Sequence, residues 1–160
     1  MNLRIERAVP RDVPVIANLI RQLAEYEKML PQMVSTEQDL HEALFGARPV
    51  AETLLAFVDD RAVGFALYFE TYSTFRGRRG IHLEDLYVEP AHRGSGIGKK
   101  LLAAVAQAAR DRDAWMQWLV LDWNESAIGF YQRLGATRVE KWDSYRLEGE
   151  ALARLAGLTD

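Results

Sequence analysis

The chain contains no cysteine. That excludes disulfides, thiolate metal sites and a cysteine nucleophile. Its three histidines, His41, His82 and His92, show no ligand spacing, and H-E-x-x-H is absent, so no metal is expected. Positive charge is not in excess: 20 Lys and Arg stand against 23 Asp and Glu, a net charge of -3. No general attraction to nucleic acid or to an anionic membrane follows from that balance. Trp115, Trp118, Trp123 and Trp142 have no basic stripe between them and read as core or interface rather than base-stacking platforms. No apolar run approaches the roughly 20 residues of a membrane span. The charged start, MNLRIERAVPRD, lacks the apolar stretch of a signal peptide. A soluble cytoplasmic protein is the expectation. No repeat, low-complexity segment or linker interrupts the 160 residues, so a single domain over 1–160 is expected.

What is present is a strong alternation of periodic segments. NLRIERA reads as a first strand. Ile16, Leu19, Ile20 and Leu23 follow the i, i+3, i+4, i+7 spacing of an amphipathic helix after Pro10, and Tyr26 and Glu27 extend its stripe. Ser35 or Thr36 can cap a second helix that Gly46 stops. TLLAFVD and AVGFALYFETY flank Asp59-Asp60-Arg61 as a hairpin, and IHLEDLYV is a further strand ended by Pro90. A helix carries Ile97, Leu101, Val105 and Ala108 on one face. WMQWLVLDW reads as a strand, ESAIGFYQRLG as a helix closed by Gly135, ATRVEKWDSYRLE as two last strands, and GEALARLAGL as a terminal helical turn or two. The pattern predicts an α/β (α+β) fold: a mixed, mostly antiparallel sheet with helices on its faces and one β-α-β crossover.

That crossover runs through Arg93-Gly94-Ser95-Gly96-Ile97-Gly98. A dinucleotide fingerprint would need glycine where Lys99 stands, and a Walker loop would need Ser or Thr where Lys100 stands, so both fail. What remains is R-x-x-G-x-G between a strand and a helix. Glycines let backbone amides approach a ligand closely, and the first amides of a helix lack internal partners in a field that favours anions. From spacing alone, an anion cradle and a plain strand-to-helix turn both stay open.

This motif, within LEDLYVEPAHRGSGIGKKLL, resembles motif A of the GNAT acetyl-CoA-dependent N-acetyltransferases, and WNESAIGFYQRLGA resembles their motif B. LIRQLAEYEKM and YSTFRGRRGIHLED are similar to the spermidine/spermine (diamine) acetyltransferase branch, with its thialysine-acetylating relatives. The resemblance covers nearly the whole chain in order. It implies the GNAT acyl-CoA N-acyltransferase fold with one central parallel pair, acetyl-CoA as cosubstrate, a small-molecule primary amine as acceptor, direct attack in a ternary complex, and a homodimer. A GNAT acting on a protein amine or an aminoglycoside, or a non-catalytic acyl-CoA sensor, are the alternatives.

The chemistry poses three problems. A Lys-like amine with a pKa of about 10.4 is almost entirely protonated at neutral pH, negative charge grows on the thioester oxygen, and the departing thiolate needs a proton. For the first, Glu84 matches the branch's general base, acting through water, and Asp85 its holder of the cationic acceptor. In a regular strand the two face opposite ways, Glu84 with Leu86 and Val88, Asp85 with Leu83 and Tyr87, unless a bulge intervenes. For the second, the resemblance implies a splayed strand at Leu86, Tyr87 and Val88 whose backbone meets the thioester and pantetheine. Asn124 matches the family's Asn, and also suits the N-cap of the following helix. For the third, Tyr131 matches the family's general acid, although its spacing from Ile128 and Leu134 also fits a helix core stripe. Arg93, Gly94, Ser95, Gly96, Ile97, Gly98 and Lys99 then hold the CoA pyrophosphate. Tyr26, Glu27 and Phe75 match acceptor-binding positions; without the resemblance, Tyr26 reads as core and Glu27 as solvated. Arg76, Arg78 and Arg79 crowd the acceptor loop and put a strict polyamine specificity in doubt.

Overall fold

In the computed structural model, which describes residues 2–159, one compact unit ends at Leu121 and a second begins at Asp122. The first unit is built on β1 (Leu3–Arg7), α1 (Val13–Tyr26), α2 (Glu37–Phe45), β2 (Glu52–Val58), β3 (Arg61–Ser73), β4 (Arg78–Val88), α3 (Ile97–Asp111) and β5 (Trp115–Trp118). The strands form one sheet in the order β1-β2-β3-β4-β5. Neighbours are antiparallel except β4 and β5, the parallel pair that α3 connects.

Local chemistry sets the boundaries. Asp59 and Asp60 both take positive φ, 47° and 68°, the backbone that a two-residue hairpin demands. Thr36 caps α2: its hydroxyl accepts from the Asp39 amide at 3.1 Å while its own amide donates to Asp39 Oδ2 at 2.8 Å.

Helices cover both faces. On one, Ile16, Leu19 and Leu23 of α1 pack with Phe65, Leu67 and Tyr87 of the sheet, and Ile16, Leu19 and Phe65 are fully buried. On the other lies α3, with Ile97, Leu101, Leu102, Val105 and Ala109 buried; Ala109, rather than Ala108, completes its apolar face. Gly64 of β3 sits tight against the β4 backbone and α3. A Cβ there would meet the Tyr87 carbonyl at 2.7 Å and Leu101 Cδ1 at 3.4 Å, so only glycine fits.

The second unit contains α4 (Glu125–Arg133) and α5 (Gly149–Ala156). Asn124 caps α4, its Oδ1 accepting from the Ala127 amide at 3.3 Å, and Gly135 follows with φ 89°. Two expectations are corrected in this part of the chain. Residues 136–148 form no strand, and the strand expected over WMQWLVLDW stops at Trp118. Alternation alone does not make a strand; ladder partners do, and no ladder includes residues 136–148. Lys141, with φ 68°, also breaks the extended backbone there. In consequence the parallel pair lies at one end of the five-strand order rather than at its centre.

Candidate active site

β4 carries the decisive irregularity. Tyr68 pairs with Leu83 and Leu67 with Asp85, so Glu84 is an extra residue with no partner on β3. This is the bulge under which the two acids need not face opposite ways. Asp85 stands opposite Leu67, on the α1 face, whereas Leu83 stands opposite Tyr68, on the α3 face. Glu84 turns the same way as His82: its Oε2 lies 3.3 Å from His82 Nε2, and the His82 ring packs on Phe69 at 5.0 Å.

Glu27, at the C-cap of α1, joins this group. Its carboxyl is half-buried and held above its usual pKa, first by burial and then by the charge of Glu84. Asp85 is also half-buried and is pushed up to about 7, chiefly by burial, then by the charges of Glu84 and Glu27. Glu84 itself is exposed. One face of one strand and the end of one helix thus concentrate three carboxyls, one of them open to solvent.

Just beyond them β4 parts from β5. The parallel ladder runs from Gly80 with Trp115 to Leu83 with Trp118, and among the described residues no pairing continues past Leu83. Residues 85–88 keep β3 on one side, while their other edge carries no ladder. The backbone then passes Pro90 into the glycine loop. Gly94 and Gly96 take φ of 77° and 84°, and no atom stands within 4 Å of where a Cβ would sit. Gly96 is the N-cap of α3 and supplies no side chain to its first turn. The amides of Ile97, Gly98 and Lys99 precede the first bond of the helix, Lys100 to Gly96. Two open glycines followed by amides without helical partners leave backbone donors of the kind that anions accept from.

The remaining expected residues are placed as follows. Arg93 does not extend from the loop but folds back. Its Nε donates to the Val88 carbonyl at 2.8 Å, and its guanidinium carbon lies 4.8 Å from the Tyr26 ring centre and 5.3 Å from that of Tyr87. Phe75 is fully exposed in the β3–β4 turn. The arginines of that turn are engaged locally: Arg78 with Asp113 at 2.8 Å, Arg79 with Glu70 at 3.7 Å, Arg76 over the Trp115 ring at 5.0 Å. Asn124 and Tyr131 belong to the second unit, at the cap and within α4.

Two groups left no mark in the sequence. Buried Glu89 receives Arg61 at 2.8 Å and Gln22 Nε2 at 3.3 Å, while the Tyr87 hydroxyl donates to Gln22 Oε1 at 3.3 Å. On the α3 face, Arg112 binds Glu52 at 2.8 Å and Glu70 at 3.1 Å, and Arg7 binds Glu52 at 2.8 Å. These pairs join residues far apart in sequence, and no local pattern signals such partners.

The chain is similar to known proteins in sequence and fold. The Acetyltransferase (GNAT) family profile matches residues 19–136. The thialysine N-epsilon-acetyltransferase of Bos taurus is 43% identical over 165 residues, covering 96% of each chain. The L-ornithine N5-acetyltransferase NATA1 of Arabidopsis thaliana is 32% identical, covering 93% of this chain and 86% of the relative. Among solved structures, an integron cassette protein from the mobile metagenome of V. cholerae superposes with a TM-score of 0.79 at 26% identity, covering 98% of both chains.

Proposed function

The chain belongs to the GNAT family of N-acetyltransferases, and from that premise we propose that it acetylates the side-chain amine of a small cationic amino acid or diamine, with acetyl-CoA as donor. The observation that carries the acceptor class is the gathering of Glu27, Glu84 and Asp85 on one face of the sheet. Like charges held together at the end of a helix favour a ligand that brings the counter-charge. The names of the thialysine and ornithine relatives support a lysine-like acceptor. Diamines stay within the proposal, because Arg78 and Arg79 are engaged with Asp113 and Glu70.

The roles follow from placement. Asp85 and Glu27 hold the ammonium group. Glu84, the exposed member, takes its proton, directly or through water, and leaves a neutral nucleophile. The amides of the glycine loop and Ile97 to Lys99 hold the donor's pyrophosphate, with Ser95 beside them. The unladdered edge of Leu86 to Val88 receives the pantetheine arm together with Asn124, and its amides face the carbonyl oxygen as charge grows there. Acetyl-CoA supplies the activated acyl group, attacked directly in a ternary complex. Tyr131 returns a proton to the departing thiolate. Action of the two units as one catalytic domain belongs to the same proposal, supported by a family match that runs through residue 121. So do a homodimer, which light scattering reads directly, and a cytoplasmic location.

The test is CoA release against thialysine, lysine, ornithine, putrescine, spermidine and an aminoglycoside. Turnover is expected with the first three and, more weakly, with the diamines. CoA binding without turnover on any amine would favour a sensor. Tyr131→Phe should keep CoA affinity and lose most of kcat; a wild-type kcat would remove Tyr131 from the mechanism.

A further inference from the structure

An arginine in a glycine loop invites assignment as a phosphate ligand. The geometry of Arg93 differs. Its side chain reaches back five residues to the Val88 carbonyl, at 2.8 Å. Its guanidinium lies near the rings of Tyr26, at the end of α1, and Tyr87, near the end of β4. Tyr87 rests in turn on Gln22, and Gln22 on buried Glu89, which Arg61 neutralises. The clasp therefore closes the turn that precedes the loop, and it stands on a buttress spanning α1, β3 and β4. A loop with two left-handed glycines has much conformational freedom to lose when it binds. Holding its entry fixed lowers that cost.

We infer that Arg93 is a positioning residue that clasps the glycine loop to β4 and to the last turn of α1, leaving the backbone amides of residues 94–99 to meet the anion. This rests on the proposed reading that the loop binds CoA. It has a consequence that a direct phosphate ligand lacks. Tyr26, outside the loop, sets the donor affinity through Arg93. Because Glu27 is its neighbour, one helical turn serves the acceptor carboxyls and the donor loop alike.

The test is a double-mutant cycle in CoA affinity, read by titration calorimetry on folded variants checked by thermal melts. Arg93→Met and Tyr26→Leu should each weaken CoA binding about threefold to thirtyfold, the span of one guanidinium–ring contact from exposed to desolvated. The double variant should bind no more weakly than Arg93→Met alone, since the two act as one unit. Arg93→Lys should resemble Arg93→Met, because an ammonium reproduces neither the planar stack nor the fork. Tyr26→Phe, which keeps the ring, should retain wild-type affinity. Additive losses in the cycle, wild-type affinity in Tyr26→Leu, wild-type affinity in Arg93→Lys, or a loss in Tyr26→Phe would overturn the inference while the donor reading stands. A wild-type protein that binds no CoA would overturn both.

Discussion

The two faces of the sheet treat charge in opposite ways. On the α3 face, Arg112 and Arg7 meet Glu52 and Glu70 in a closed network. The hydrogen bond from Arg112 holds Glu52 below its usual pKa and raises Arg112 in return. On the α1 face, Glu27, Glu84 and Asp85 stand together, and burial with mutual repulsion raises Glu27 and Asp85. The first arrangement is finished without a ligand: every ion stabilises its neighbour and ties β1, β2 and β3 to the end of α3. The second is held at a cost that a bound cation would relieve. The contrast separates a structural network from a site on physical grounds, though both are clusters of acidic residues on one sheet.

Substitutions on the two faces should have different consequences, the largest of them in catalysis. Glu84→Gln should lower kcat/KM for the amine by about 10²–10⁴-fold, the range of a lost general base, with CoA affinity kept. A loss under threefold would move the proton transfer elsewhere. Next is stability on the other face. Arg112→Met leaves Glu52 with the exposed Arg7 alone, and urea unfolding should register a loss of about 1–3 kcal/mol, below the figure for a fully buried pair because water screens the site. Activity should survive in that variant; an equal loss of kcat would erase the distinction between the faces.

A smaller effect concerns pH. Asp85 is raised from 3.8 to about 7 in the folded chain. Its contribution to stability is therefore fully present below pH 4 and is lost as the pH rises through 7. Asp85→Asn should flatten that fall and raise Tm at pH 8 by about 2–6 °C. An unchanged pH dependence would show that neither burial nor its neighbours raise Asp85 in the folded chain. Smallest is Arg79→Met. Its partner Glu70 is 3.7 Å away and both are well exposed, so a change below about 0.5 kcal/mol is expected, with the acceptor KM unmoved. A large KM change there would return the hairpin arginines to the acceptor site.

Much of this was legible in residue order. The α1 stripe, the Thr36 cap, the Asp59-Asp60 hairpin, the glycine loop before α3 and the Asn124 cap of α4 all have local causes that neighbouring residues state openly. The bulge at Glu84 has none. Treating LEDLYV as a regular strand puts the two acids on opposite faces, and only the pairing with β3 reveals the extra residue. For Arg93, the motif states the residue type, while its contacts with the Val88 carbonyl and the Tyr26 and Tyr87 rings appear only in the folded chain. The strands expected after Gly135 failed because alternation supplies a face but no partner. Glu89 with Arg61, and Arg112 with Glu52, are meetings between distant segments that only the folded sheet arranges.

Passage of acetyl groups from acetyl-CoA to a lysine-like side-chain amine received by Glu27, Glu84 and Asp85 can be read in the product itself. The purified protein is incubated with acetyl-CoA and thialysine, and the amino acid is examined by tandem mass spectrometry. One added acetyl group is expected, on the side-chain nitrogen, and almost none when Glu84→Gln replaces the wild type. An unmodified amino acid beside turnover on a protein amine or an aminoglycoside, or equal product from both proteins, would contradict it.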